Sequence, residues 1–350
     1  MSEQIKPLVI AVTGLNAIDS PGPGVAVIRA LREGLDRPVR IIGLAYENLE
    51  PGIYMEGICD KTYQISYPAA GAEVLFQVIK RIHEKEQLDV IIPNFDAELN
   101  NFIFLSDRLK QLGILSFMPD VDMFNARDKV NLYSFGQQHN LFVPKDQIIY
   151  SIDSLPFLGE ELGYPLVIKG KYYDAIIANT LEQAQKAFFK ISAKWGFPII
   201  VQQYIQGTEI NIAALGDGDG NAISVIPMRK MYITDKGKAW AGITLEDDAY
   251  ITLAKKFIEA TKWRGGFELE IMKNNQGELY IMEINPRFPA WIYLSAAVGQ
   301  NQPASLVKLA LGEEVIPFET YDVGKLFIRY AWDMIVDVNS YQQFSAFGTL

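Results

Sequence analysis

Apolar positions in the first third of this chain alternate between two rhythms. Leu8-Val-Ile-Ala-Val12 is an unbroken apolar run between Pro7 and Gly14, the pattern of a strand buried on both faces of a parallel sheet. Val25 to Arg32 then has helical spacing, and Val39 to Leu44 reads as the next strand. Val74 to Glu86 reads as a helix with Val74, Leu75, Val78, Ile79 and Ile82 apolar, and Val90 to Pro93 as another buried strand. Strand, helix and strand in this order predict a doubly wound α/β domain over residues 1 to about 118.

The pattern changes beyond Met118-Pro-Asp120. A helical run follows Arg127-Asp-Lys-Val-Asn131 up to His139, closing at Asn140-Leu-Phe-Val-Pro144. Tyr164 to Gly170 reads as a strand, Leu181 to Trp195 as a helix, and Pro198 to Ile205 as a strand running into Gln206-Gly207. Ile210 to Leu215 and Ala222 to Pro227 form a predicted hairpin, with Arg229 and Lys230 leaving its second arm. Asp248 to Trp263 is an amphipathic helix. Later come a helix led by Phe288-Pro-Ala-Trp-Ile-Tyr293 and continuing through Gly299, another over Ala304 to Leu311, and a closing strand over Gly324 to Trp332.

Composition narrows the chemistry. A chain of 350 residues with 49% hydrophobic and 21% charged content has room for two or three packed subdomains. A net charge of −10 argues against a general nucleic-acid or anionic-membrane binder, which needs a basic face. The single cysteine, Cys59, permits no intrachain disulfide or thiolate metal cage and reads as a buried small residue. His83 and His139 each sit in a charged or polar helix-like run, so triad hydrolysis and histidine-ligated zinc are poorly supported. The apolar run ending at Val12 is too short for a signal or membrane segment, and a cytoplasmic location is the expectation.

Two familiar phosphate motifs are missing. Gly14 to Gly24 links a strand to a helix, as dinucleotide folds do, but its glycines do not follow G-x-G-x-x-G. Gly170-Lys171, Gly237-Lys238 and Gly324-Lys325 each lack the following Ser or Thr and the upstream glycine of a P-loop. Gly216-Asp-Gly-Asp-Gly-Asn221 looks briefly like a calcium loop, yet Ala222 stands where glycine is needed, so turn chemistry explains it better. Asn94, Asp96 and Glu98 lie past a strand's carboxyl end, where they either face a substrate or cap the next helix.

The most informative stretch is the hairpin with arms Phe267 to Met272 and Glu278 to Ile284 around Lys273-Asn-Asn-Gln-Gly277. Strand alternation puts Glu268 and Glu270 on one face of the first arm, and Glu283 and Asn285 on one face of the second. Antiparallel arms bring Glu270 and Glu283 together, and converging carboxylates need a cation or proton between them. Oxygen-only ligands suit Mg²⁺, and Arg287 can offer a planar fork to a phosphate. The alternative is a surface hairpin with solvated glutamates.

Here the chain resembles the ATP-grasp ligases, whose last strands carry a Glu-x-Asn-Pro-Arg like Glu283-Ile-Asn-Pro-Arg287. The resemblance implies an α/β chain: an N-terminal doubly wound parallel-sheet (pre-ATP-grasp) domain over 1–118, then an ATP-grasp fold of two α+β subdomains over 119–317. Its lid would span about 145–205, with 318–350 as a C-terminal extension packed on the core. It also implies Glu270, Glu283 and Asn285 as Mg²⁺ ligands, with Mn²⁺ admissible, and Arg287 as a phosphate contact. Lys129 and Lys169 would reach the phosphates of ATP, Gln202, Gln203, Tyr204 and Ile205 would form the adenine hinge, and Glu209 would accept from the ribose hydroxyls. The usual hinge glutamate is Gln202 here, and the usual glycine-rich lid is Lys171-Tyr-Tyr-Asp-Ala175, with Lys171 supplying a charge for missing backbone donors.

The implied reaction activates a carboxylate as an acyl phosphate that an amine attacks, with Arg287 and Lys230 as the catalytic pair. The Val-Thr-Gly loop, Ile-Pro-x-x-Asp and Glu-x-Asn-Pro-Arg resemble one half of the carbamoyl phosphate synthetase large subunit. Bulky Phe288 and Trp291 depart from that enzyme, so a stand-alone ligase of the amino-acid or peptide type is the preferred reading. A synthetase-like subunit, a non-catalytic nucleotide-binding module and an NAD-dependent enzyme are the alternatives. The expected partners are small carboxylates and amines, with no nucleic acid or membrane, and a homodimer is compatible. Phe288, Trp291 and Tyr293 either wall the acceptor pocket or form an aromatic core.

Overall fold

The computed structural model describes residues 6–17, 21–171, 174–235 and 237–350. Ile18 to Ser20 of the glycine-rich loop, and Tyr172 and Tyr173 after Lys171, lie outside the described residues. The chain divides into two compact units, one of Met1–Phe124, Asn211–Glu268 and Asn285–Leu350, the other of Asn125–Ile210 and Leu269–Ile284.

The first unit opens with β1 (Leu8–Val12), α1 (Pro23–Gly34), β2 (Val39–Ala45), β3 (Lys61–Gln64), α2 (Ala72–Glu86), β4 (Val90–Ile92) and α3 (Asp96–Gln111). The strands form a parallel sheet ordered β3-β2-β1-β4, with Ile10 opposite both Ile41 and Val90. Ile10 and Val12 join one core cluster with Val27, Ile28 and Leu31 of α1. Val9 and Ala11 face the opposite way, into a second cluster with α2 and α3. Burial on both faces is why β1 reads as a continuous apolar run. Gly24 starts the helix against the strand end, and a Cβ there would lie 2.2 Å from the Thr13 carbonyl oxygen. Close backbone packing therefore accounts for this glycine.

After α4 (Val121–Ala126), the second unit contains α5 (Leu132–Gln138), β5 (Asp146–Ile149), α6 (Leu155–Leu162), β6 (Leu166–Gly170), β7 (Ala175–Ala178), α7 (Leu181–Trp195) and β8 (Ile199–Gln203). Its four strands pair antiparallel in the order β5-β8-β6-β7. Leu155 and Leu158 of α6 and Ala184, Phe188 and Ile191 of α7 pack on Leu166, Ile168, Ile199 and Val201. One face of the sheet is thereby covered by helices. The register sets Gln202 opposite Asp146 on one side and Val167 on the other.

The remaining elements are β9 (Gly207–Asp217), β10 (Ala222–Ile233), β11 (Ala239–Thr244), α8 (Asp248–Thr261), β12 (Arg264–Asn274), β13 (Leu279–Asn285), α9 (Tyr293–Ala297), α10 (Gln302–Ala310), β14 (Leu326–Ile328) and α11 (Val338–Phe347). Their strands form a six-stranded sheet ordered β13-β12-β9-β10-β11-β14. At the start of β12, Trp263, Phe257 and Phe267 stack with ring centroids 5.0 to 5.4 Å apart, all fully buried. Such a cluster anchors the strand that leads to the acidic positions. The last residues pair with β3 within the first unit: Thr62 N–H donates to the Leu350 carbonyl at 2.9 Å and Gln64 N–H to that of Gly348 at 2.8 Å.

Several boundaries differ from the sequence pattern. Arg229 and Lys230 lie inside β10, which continues to Ile233. The helix expected from Phe288 through Gly299 is only the five residues of α9, because Pro289 and Trp291 carbonyls first accept turn bonds from Ile292 and Leu294. The closing strand shrinks to Leu326–Ile328, its last link being Arg329 N–H on the Trp240 carbonyl at 2.8 Å. In the Gly216 to Asn221 turn, Asp217 Oδ1 accepts from the N–H groups of Asp219, Gly220 and Asn221. That carboxylate closes the turn.

Candidate active site

Five charged side chains gather in the second unit. Lys129, in the turn before α5, places Nζ 3.3 Å from Glu283 Oε1 on β13. Lys169, near the end of β6, has its pKa lowered by burial and by Lys129, against the opposing pull of Glu283, Asp146 and Glu270. Asp146 on β5 is pushed up to about 6, chiefly by burial, while Lys169 and a hydrogen bond from Gln202 act the other way. Two ammonium groups and three carboxylates thus share one small region, the arrangement that perturbed pKa values mark at functional sites.

Gln202 is buried and its Oε1 has no hydrogen-bond partner, nor does Asp146 Oδ2. β8 ends one residue later at Gln203, whose N–H donates to the Lys145 carbonyl at 2.8 Å. Tyr204 and Ile205 follow outside the strand. Glu209 is partly exposed on β9, and Lys171 is half-buried just past β6.

The first unit holds a second polar cluster, centred on Glu268. This carboxylate is only 5% exposed. It accepts from Asn211 Nδ2 at 2.8 Å, Asn285 Nδ2 at 3.2 Å and Trp291 Nε1 at 2.8 Å. Arg287 donates from Nε to Asp96 Oδ2 at 2.9 Å and from Nη2 toward Asn285 Oδ1 at 3.4 Å. Charge-assisted bonds of this kind fix a guanidinium's plane as well as its position.

Sheet register carries the cluster further. Asn211 pairs with Met228, Lys230 with Gly242, and Gly242 with Phe327. Directly opposite residues and those two apart share a face, so Asn211, Met228, Lys230 and Phe327 lie on one face. Lys230 Nζ reaches the Gly237 carbonyl at 3.3 Å. Arg329, two residues beyond Phe327, has its guanidinium pKa lowered to about 10 by burial, with Glu268 partly offsetting the shift.

Other expected residues take structural roles. Asn94 donates to the carbonyls of Thr13 and Ile92, and Glu98 accepts from Thr13, Tyr46 and the N–H groups of Asn94 and Phe95. Both are fully buried. Asp96 alone of that trio turns to Arg287. Phe288 and Trp291 belong to the core, and a Cβ on Gly266 would meet the Phe288 ring at 2.3 Å. Tyr293 instead donates to Glu33 under the Arg29 guanidinium, 3.7 Å from its ring centre. The aromatic-core reading therefore holds for the first two. Cys59 is partly buried, and desolvation raises its thiol to about 12, so it is no nucleophile.

Among the described residues, no three His, Cys, Asp or Glu side chains are grouped to hold a metal. Glu270 and Glu283 of the second unit offer two carboxylates, both half-buried within electrostatic reach of Lys169, and Asn285 in the first unit carries an amide. Hard oxygen donors next to ammonium groups are the donor set that suits Mg²⁺ shared with phosphates.

Residues 197–327 match the family model described as "ATP-grasp in the biosynthetic pathway with Ter operon". That stretch, well under half of the chain, is similar to an ATP-grasp domain. Around it, 287 residues are 21% identical to the N-terminal section of the carbamoyl phosphate synthase large chain of Methanopyrus kandleri, covering 74% of this chain and 50% of that one. The large chain of Clostridium beijerinckii is 24% identical over 249 residues, covering 63% of this chain and 22% of the relative. The chain thus spans half or less of these curated relatives. Biotin carboxylase of Campylobacter jejuni superposes with a TM-score of 0.72 at 18% identity, over 93% of this chain and 75% of that one. The N5-carboxyaminoimidazole synthetase of Staphylococcus aureus gives 0.69 at 14% identity, over 93% and 83%. At these identities the structures share the ATP-grasp fold, with its parallel-sheet N-terminal domain and antiparallel sheets. No helix among the described residues is long and apolar enough to cross a membrane.

Sequence reasoning left out four residues of these two clusters. Glu268 could have been found, since it shares a strand face with Glu270. Asn211 and Asp146 carry no local signal, because each becomes meaningful only through a cross-strand partner. Arg329 lies just past the end of the family match at residue 327.

Proposed function

We propose that this chain is an ATP-dependent, ADP-forming carboxylate–amine ligase acting through an acyl phosphate on an amino acid or peptide. The observation that carries the reading is Lys129 placed 3.3 Å from Glu283 with the desolvated Lys169 beside them. Ammonium groups for phosphates thus adjoin carboxylates for a metal. Phosphoryl transfer asks for positioning and charge neutralisation rather than covalent help, so such a site is sufficient.

In this reading Lys129, Lys169 and Lys171 hold the triphosphate. Gln202 to Ile205 line the base and Glu209 the ribose. Magnesium, held by Glu270, Glu283 and Asn285, would neutralise charge on the phosphate oxygens. Arg287, oriented by Asp96, steadies the transferring phosphoryl group, and Lys230 faces the acyl phosphate. The substrate carboxylate takes the γ-phosphoryl group, releasing ADP; the amine then forms the C–N bond while the carbonyl C–O bond to phosphate breaks.

The test is release of ADP and phosphate with Mg²⁺ against a panel of amino acids paired with amines and peptides, with Glu283→Gln as the blank. Release by the native chain alone, stimulated by one pair, is the expected result. Tight ATP binding without release under any pair would overturn it in favour of a non-catalytic nucleotide-binding module.

A further inference from the structure

Arg264, the first residue of β12, is a half-buried cation whose partners are neutral. Its Nη1 donates to the Met118 carbonyl at 2.8 Å and its Nη2 to that of Ser116 at 3.2 Å, while the guanidinium carbon lies 4.0 Å over the Phe117 ring centre. A guanidinium carries five N–H donors, so these carbonyls occupy only part of it. Arg32, Arg40 and Arg108 of the same unit each have a carboxylate oxygen within 2.9 Å. Among the described residues Arg264 has no such carboxylate, and burial alone lowers its pKa with no acidic group pulling the other way. A desolvated charge is costly until an opposite charge meets it. Arg264 also lines a cavity of about 690 Å³ in the first unit, within the range of small-molecule sites. Ile103, Phe104, Met118, Pro119 and Val121 give that cavity apolar walls, and Phe104 and Val121 are still 74% and 51% exposed. Asp120 is the only carboxylate among its lining residues, and it turns instead to Met123 N–H at 2.8 Å.

We propose that this cavity binds a small monocarboxylate with an apolar body, its carboxylate on Arg264 and its body against Phe104, Met118 and Val121. One cation calls for one negative charge, and the planar guanidinium fork matches the two oxygens of a carboxylate. A phosphate would bring a second charge with no second cation among the lining residues, and an amine would be repelled. Ser106 and Ser116 line the same cavity, and a hydroxyl can donate to an oxygen that the fork leaves open. The two carbonyl bonds give Arg264 a structural role, joining β12 to the segment before α4, but they leave its charge without a partner. None of the lining residues belongs to the cluster of Lys129, Lys169, Glu270 and Glu283. The inference therefore stands apart from the ligase reading and concerns a second ligand.

The experiment is calorimetric titration of the full chain with octanoate and 4-phenylbutyrate, beside their neutral amides and acetate. Each acid is expected to bind about tenfold more tightly than its own amide, the margin of a charge-assisted hydrogen bond. Acetate, which has no body to bury, is expected to bind at least about tenfold more weakly than either acid. In Arg264→Met the preference for acid over amide is expected to disappear, whereas Phe104→Ala weakens acid and amide alike. A merely structural Arg264 would not distinguish the acid from its amide. Should Arg264→Met fail to fold, Val121→Glu sets a negative charge on the wall from an exposed position and must weaken the acids about tenfold while sparing the amides. Equal affinity of acid and amide for the native chain overturns the inference. So does a preference that survives in a folded Arg264→Met chain, or in Val121→Glu where that variant replaces it. Failure of both acids to bind the native chain at millimolar concentration overturns it as well, and none of these outcomes touches the proposed nucleotide site.

Discussion

Arg287 and Asp96 meet across 191 residues of sequence, with the guanidinium Nε donating to the carboxylate Oδ2 at 2.9 Å. Arg287, for which a phosphate contact is proposed, is therefore held by the first turn of a helix in the N-terminal parallel-sheet region. Asp96→Ala should leave Arg287 present but poorly aimed. Turnover is expected to fall about tenfold with little change in KM for ATP, the pattern of an interaction used mainly in the transition state. Steady-state kinetics on the pair found by the ligase assay checks this, and a rise in KM alone would contradict it.

Glu268 accepts from three side-chain donors and is almost wholly buried. Glu268→Gln keeps the volume but turns one acceptor into a donor facing other donors. A loss of about 1–3 kcal/mol is expected, the cost of leaving buried polar groups unsatisfied. Urea unfolding of both chains measures it, with the slope required to stay constant.

Asp146 has its pKa raised to about 6 in the folded chain, mainly by burial. The unfolded chain releases that proton near the ordinary value of about 3.9. Between these values the folded chain binds the extra proton, so this group's contribution makes stability fall as pH rises. Asp146→Asn removes the titration. It should be more stable than the native chain by about 1–2 kcal/mol at pH 7.5, a difference that shrinks through pH 6 and is gone below about pH 4. Paired urea titrations across that range decide it, and a gap independent of pH would refute the assignment.

Lys169 has a depressed ammonium pKa because burial and Lys129 both disfavour its charge. Lys169→Met keeps the stem and removes that charge, so the unliganded fold should lose no stability. On the proposed function, in which Lys169 holds a phosphate, nucleotide affinity should nevertheless drop by about 10- to 100-fold. Calorimetric titration with ATP and Mg²⁺, beside a melting curve without nucleotide, separates the two effects. A parallel loss of stability would make Lys169 a structural residue instead.

Much of this architecture is legible from periodicity because burial and helix period coincide. The helix expected over Leu181 to Trp195 is α7 to the residue, with Ala184, Ala187, Phe188 and Ile191 buried and Thr180 capping its start. The parallel sheet is equally plain, since β1 is buried on both faces and leaves no polar position to confuse the pattern. Short edge elements were harder: β14 is three residues long, and its pairing stops at Ile328 although its partner β11 extends to Ala239, which no local pattern encodes. Glu283, Asn285 and Arg287 stand in one contiguous motif and could be singled out from sequence alone. Asp146 could not, because its meaning comes from facing Gln202 across a ladder. Nor could the orientation of Arg287, which depends on Asp96 from a different element.

Trp291 occupies the core with its ring and the Glu268 cluster with its indole N–H, 2.8 Å from the carboxylate. Indole emission responds to the charge and hydrogen bonding at that nitrogen, so the cluster carries its own optical probe. Four other tryptophans emit as well, and the difference spectrum between the native chain and Trp291→Phe isolates this one. Events at Asn211, Glu268 and Asn285 can therefore be followed by fluorescence in real time, without a label and before any substrate is identified.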